Sequence, residues 1–277
     1  MGQNTSDDRP STEAQELTNG ALQGITRRIQ GPDNILSYRF SGSTRPELVR
    51  AVEKVLLRVD AQFEIDLQRQ CSCAAAEVNI LEFAGIAGID PVTGRETLNV
   101  GKATPNESSW TVLWADQQQL TGVTPLDVIV HEWGHVLGLV DADSKDPLRT
   151  DTTSGDTVMS YNRLNDTPAG YYRALDVEAL TWLWGPETSA AAQRNPFVDT
   201  TSKKPASSFA WDAQNLMNAA ENNADFLDAA YSVILERAID PDGAGWWTAQ
   251  LEQGLSRRDL VDTLLLSDEF LQILLDA

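Results

Sequence analysis

The stretch Pro125-Leu126-Asp127-Val128-Ile129-Val130-His131-Glu132-Trp133-Gly134-His135-Val136-Leu137-Gly138-Leu139-Val140-Asp141 decides how this chain reads. Its apolar residues recur at helical spacing from Pro125 to Leu139, and Pro125 is acceptable in a first turn, where an N–H has no intrahelical partner to lose. Thr124 can cap that turn through its hydroxyl. On such a helix residues i and i+4 share one face, so His131 and His135 can present two imidazole nitrogens to one tetrahedral ion. Glu132 sits about 100° further round. From there its carboxylate can hold a water and take its proton while zinc lowers that water's pKa. These two are the chain's only histidines, so a third protein ligand must be another residue type. Gly138 can end the helix in a left-handed turn at no Cβ cost, and the chain can then swing Asp141 back towards the metal. Three protein ligands plus water make an open, catalytic site.

Outward from this helix the pattern alternates between sheet and helix. Ile35 to Phe40 suits a first strand, and Arg45 to Val59 places Leu48, Val49, Val52, Val55 and Leu56 at helical spacing. Phe63 to Leu67, Val78 to Phe83, Leu98 to Ala103 and Thr111 to Trp114 read as further strands. Downstream, Asp141 to Thr157 is a polar loop, and Ala174 to Trp184 restores a helix stopped by Gly185-Pro186. The expected organisation is a polar N-terminal extension over 1–34, an α+β domain over 35–186, a linker over 187–208 and a small all-α domain over 209–277. The last contains helix-like stretches near Ala213 to Arg237, Gly245 to Gln253 and Arg257 to Leu275.

Composition narrows the partners. The 277 residues carry a formal net charge of -20, which repels phosphate backbones and anionic lipid, so nucleic acid is not an expected partner. No run approaches the roughly 20 apolar residues that a spanning helix needs. Gln3 to Asn19 lacks the basic start and apolar core of a signal peptide. Cys71 and Cys73 are the only cysteines, too few for a multi-bridge framework. They read as free or locally paired surface thiols, with a zinc-capping thiol as the alternative.

Read as His-Glu-x-x-His-x-x-Gly-x-x-Asp, the run from His131 to Asp141 looks like the extended zinc signature of the metzincin peptidases. Most members carry His at the final position; Asp141 resembles the snapalysin-like branch. Thr157-Val158-Met159-Ser160-Tyr161 resembles the metzincin Met-turn, closest to its serralysin form. By that resemblance Met159 forms an apolar floor beneath the metal, and Tyr161 either ligates zinc or stabilises the oxyanion. Leu175 to Pro186 resembles the helix that closes the serralysin catalytic domain. The resemblance spans about Ile35 to Pro186 and implies a five-stranded twisted mixed sheet with two main helices and a C-terminal helix. In that fold the fourth strand is an edge to which an extended substrate adds, which places Val100, Gly101, Lys102 and Ala103 against substrate. The expected activity is zinc-dependent endopeptidase action on protein or peptide. The alternative is a catalytically silent, zinc-containing binding or surface-attachment protein.

Three further stretches, Arg237 to Trp247, Gly254-Leu255-Ser256 and Ser267 to Phe270, are together similar to a phycobilisome-linker-like domain of unknown function. Such domains lie near the ends of many exported bacterial proteins, which implies secretion or a cell-surface location. Asp240 and Asp242 beside Gly243 make calcium (Ca2+) a candidate second ion, although the glycine comes too early for an EF-hand loop. Trp246 and Trp247 read as core. Gln3 to Asn34 is a candidate pro-segment, able to plug the zinc through Asp7, Asp8 or Asp33.

Overall fold

Alternation of buried and half-buried residues builds the central sheet. The computed structural model describes residues 9–30, 35–70, 74–89, 96–142, 152–162, 170–187 and 222–275. In it Val78 and Ile80 of β3 (Val78–Glu82) stand in register with Trp110 and Val112 of β7 (Trp110–Trp114), and all four are buried. Side chains on alternate residues share one face, so these pairs make one apolar surface. The full sheet runs β2-β1-β3-β7-β6, with β1 (Ile35–Phe40), β2 (Asp66–Arg69), β3 and β7 mutually parallel. β6 (Gly101–Pro105) pairs antiparallel with β7 and forms one edge.

Parallel neighbours need a crossover, and α3 (Pro46–Gln62) supplies it between β1 and β2. α5 (Pro125–Leu137) packs on β6 and β7 and touches α3. Its Trp133 meets Tyr38 of β1 edge to face at 5.8 Å between ring centroids. α6 (Ala174–Trp184) ends at Gly185, and the Trp184 indole N–H donates to the Leu137 carbonyl at 2.8 Å, tying α6 to the end of α5.

The structure moves several expected boundaries. β2 starts at Asp66 rather than Phe63, because Phe63 bridges to Pro186 instead. The single strand expected over Leu98 to Ala103 is two: β5 (Glu96–Asn99) pairs with β4 (Ile86–Ile89) in a separate hairpin, and β6 begins after Val100. Residues 12–30, to which the sequence reading gave no element, form α1 (Thr12–Glu16) and α2 (Gly20–Gln30). A short α4 (Gln118–Thr121) precedes α5.

The C-terminal helices are α7 (Asn223–Ile234), α8 (Pro241–Glu252), α9 (Arg257–Leu266) and α10 (Asp268–Leu275). α9 and α10 pack against α3. Charged groups mark that contact: Lys54 meets Glu236 at 2.6 Å, Arg258 meets Asp60 at 3.3 Å, and Arg58 donates to the carbonyls of Leu265 and Ser267 at 2.8 and 3.1 Å. Trp247 is buried, its N–H donating to the Tyr231 hydroxyl, but Trp246 is 56% exposed, so only one of the two tryptophans is core. Asp240 caps α8 by accepting the Gly243 N–H at 2.8 Å, and neither it nor Asp242 joins a metal-capable group among the described residues. Among the same residues no helix is long and apolar enough to cross a membrane. Asp7, Asp8, Asp33, Cys71 and Cys73 lie outside the described residues.

Candidate metal centre

Both ends of α5 are fixed by its own sequence. Thr124 accepts the Asp127 N–H and Asp127 accepts the Thr124 N–H, each at 3.1 Å, a capping box that satisfies two otherwise orphaned donors. At the other end Gly138 adopts φ 101°, and the Leu139 N–H returns to the Gly134 carbonyl at 2.8 Å. A side chain at 138 would be strained, and its Cβ would lie 3.0 Å from Gln23 Cβ.

One turn before that end, the two imidazoles are oriented by main-chain carbonyls. His131 Nδ1 lies 2.8 Å from the Val158 oxygen, and His135 Nδ1 lies 3.0 Å from the Leu139 oxygen. A carbonyl only accepts, so each Nδ1 carries the proton and each neutral ring turns an Nε2 lone pair the other way. Both lone pairs meet Asp141 Oδ1, at 3.2 and 3.4 Å. That oxygen is buried and receives no hydrogen bond. Three acceptors therefore face one another, an arrangement that costs energy unless a cation or a proton sits among them. The three ligand atoms lie within 4.8 Å of one another, and this is the only such group among the described residues. Two imidazoles and a carboxylate suit zinc in number and in donor type.

The same convergence shifts the titration of these groups. Burial pulls the His131 imidazole down, but Asp141 and Glu132 outweigh it and its pKa ends raised. Burial would raise Asp141, yet the two imidazoles hold it well below the usual carboxylate range.

Glu132 is buried and points to the sheet edge. Burial raises its pKa, against the pull of His131 and His135, and the Ala103 N–H donates to its carboxylate. A Cβ at Gly101 would fall 2.5 Å from Glu132 Oε1 and 2.5 Å from Val128 Cγ1, so only glycine lets the carboxylate lie against β6. Of the four residues expected to face substrate, Gly101 and Ala103 thus act on Glu132. Lys102 is exposed on the edge strand, and the Val100 carbonyl accepts from the Ala115 N–H.

Met159 is fully buried under α5, where a Cβ at Gly134 would come within 2.6 Å of its sulfur. Gly134 is thus the contact point between the helix and the turn at 157–160. The Tyr161 hydroxyl reaches 3.3 Å from His131 Nε2 while the side chain remains 63% exposed.

Asp176, on α6, escaped the sequence reading. Fully buried, it accepts from the Thr157 hydroxyl, from the Val158 N–H at 2.9 Å and from the Arg173 N–H at 2.8 Å. Burial pushes its carboxyl up to about 6 despite those donors. It fixes Val158, whose carbonyl orients His131, so one carboxylate on α6 sets the angle of the His131 ring. Its position three residues after Arg173, at the start of a helix, was the available signal.

Comparison with curated proteins found no match. A family model, the domain of unknown function (DUF4214), matches residues 206–273, and so covers α7 to α9 and most of α10 but none of His131, His135 and Asp141.

Proposed function

We propose that the chain is a zinc-dependent endopeptidase of the metzincin type, with His131, His135 and Asp141 as ligands and Glu132 as general base. One observation carries the reading: the Nε2 atoms of His131 and His135 converge on a buried Asp141 oxygen that receives no hydrogen bond, beside a buried Glu132 whose pKa burial raises. Zinc bound there would supply Lewis acidity, polarising a scissile carbonyl and easing deprotonation of the attacking water. Glu132, pinned by Ala103, takes that proton and returns it to the leaving amine. Tyr161 stands at the exposed rim, placed to donate to developing oxyanion charge. β6 offers an edge strand to which an extended peptide can add. A secreted or cell-surface location, expected from the C-terminal resemblance, belongs to the same proposal.

The test is digestion of unfolded casein by the purified full chain. Cleavage should stop with a chelator and return with zinc, and Glu132→Ala should keep its zinc while cleavage falls about a thousandfold. An undiminished rate in that variant contradicts the assignment. Zinc-loaded chain that cleaves nothing and binds a protein tightly would favour the silent binding alternative.

A further inference from the structure

The third ligand is delivered by a loop, and the loop is held from outside. Two main-chain hydrogen bonds join it to the N-terminal segment: the Asn19 N–H donates to the Gly138 carbonyl at 2.8 Å, and the Val140 N–H donates to the Leu17 carbonyl at 2.9 Å. They flank an antiparallel bridge between Thr18 and Leu139, the residue whose carbonyl also orients His135. On its other side the loop is tied by the Ala142 N–H to the Met159 carbonyl at 3.0 Å.

The N-terminal segment is itself anchored. The Ser11 N–H and hydroxyl donate to the two oxygens of Glu178 on α6, at 2.6 and 2.9 Å, and Ala14 and Leu17 are buried. Next along the chain, α2 packs Gln23 against Gly138, and the Thr26 hydroxyl donates to the Val136 carbonyl at 2.5 Å. No carboxylate from residues 9–30 joins the metal-capable group. The segment touches the main chain around the ligands and not the ligand atoms.

We infer that Ser11 to Asn19 is a positioning strap for the metal centre: its main chain holds residues 138–140 so that Asp141 stands opposite the two imidazoles. The inference rests on the metal-centre reading above. A loop held in place before the ion arrives loses less freedom on binding it, so the strap raises metal affinity without contacting metal. It also assigns this part of the N-terminal region a role opposite to that of an inhibitory pro-segment.

The strap's contribution should pass mainly through Asp141, with a smaller part through the Leu139 carbonyl at His135, and a double-mutant cycle can read the Asp141 part. Asn19→Pro removes the N–H that reaches Gly138, whereas Asn19→Ala keeps it and removes only the side chain that accepts from Ala21 and Leu22. Zinc affinity of the full chain, measured against a chromophoric chelator, should fall about tenfold more in Asn19→Pro than in Asn19→Ala. With Asp141→Ala already present, the gap between the two should shrink to the smaller part that reaches His135 through Leu139. If Asn19→Pro does not fold, Ser11→Ala combined with Glu178→Gln loosens the far anchor, with an expected loss of about threefold that again shrinks without Asp141. Equal losses with and without Asp141, or no loss in either, overturn the positioning role alone. A wild-type chain that binds no zinc overturns the metal-centre reading and the strap with it.

Discussion

Where α3 meets the C-terminal helices, buried charges are met by complementary groups: Lys54 by Glu236, Asp60 by Arg258, and the Arg58 guanidinium by two carbonyls at the end of α9. At the end of α5 the opposite holds, since His131, His135 and Asp141 turn acceptors on one another. Burial costs both sets their hydration. The first recovers part of it from partners within the protein, which makes it architecture. The second recovers it only when something else arrives, which makes it a site. Acidic composition and burial alone would not separate the two; partner chemistry does.

Four outcomes would sharpen or break that contrast, beginning with the loss of cleavage in zinc-loaded Glu132→Ala described above. Next in size is Arg258→Ala, which leaves Asp60 buried without its guanidinium. It should lower unfolding stability by about 3 kcal/mol in chemical denaturation while zinc affinity stays unchanged. A matching loss of zinc affinity would mean that the two regions are not separate. Gly101→Ala should strike the site instead. Its Cβ collides with Glu132 and Val128, and displacement of a catalytic group by about 1 Å costs about a hundredfold in kcat. Zinc content should hold, and an unchanged kcat would show that Glu132 is not the base.

The smallest effect concerns pH. The His131 pKa is raised above its ordinary 6.5, with Asp141 and Glu132 outweighing burial, so below that raised pKa zinc must displace a proton there. Affinity is therefore full above that raised pKa and falls on acidification, by about tenfold per pH unit for one displaced proton. In Asp141→Ala the onset should move to lower pH, as the raising carboxylate is gone. Titration of the apparent zinc Kd checks both, and a pH-independent Kd would place the proton elsewhere.

Much of the α5 end was legible because its signals are local. Thr124, Pro125 and Gly138 speak to helix ends, the His131 and His135 spacing follows helix geometry, and the chain has no other histidine to offer. What stayed hidden depends on the main chain of distant residues. The Ala103 N–H at Glu132, the Val158 carbonyl at His131 and the strap at 17–19 leave no mark in side-chain pattern. α2 was missed although Leu22, Ile25 and Ile29 recur at helical spacing, because the polar residues around them read as an extension. The strand over 98–103 was drawn as one because β-propensity runs straight through Val100, where the chain in fact changes sheets.

The central claim is that one divalent cation belongs among these three acceptors, and zinc content by atomic emission tests it most directly. After zinc loading and removal of excess ion, the wild-type chain should retain a single zinc and His135→Ala should retain almost none. Equal zinc in both, or none in the wild type, would contradict the account.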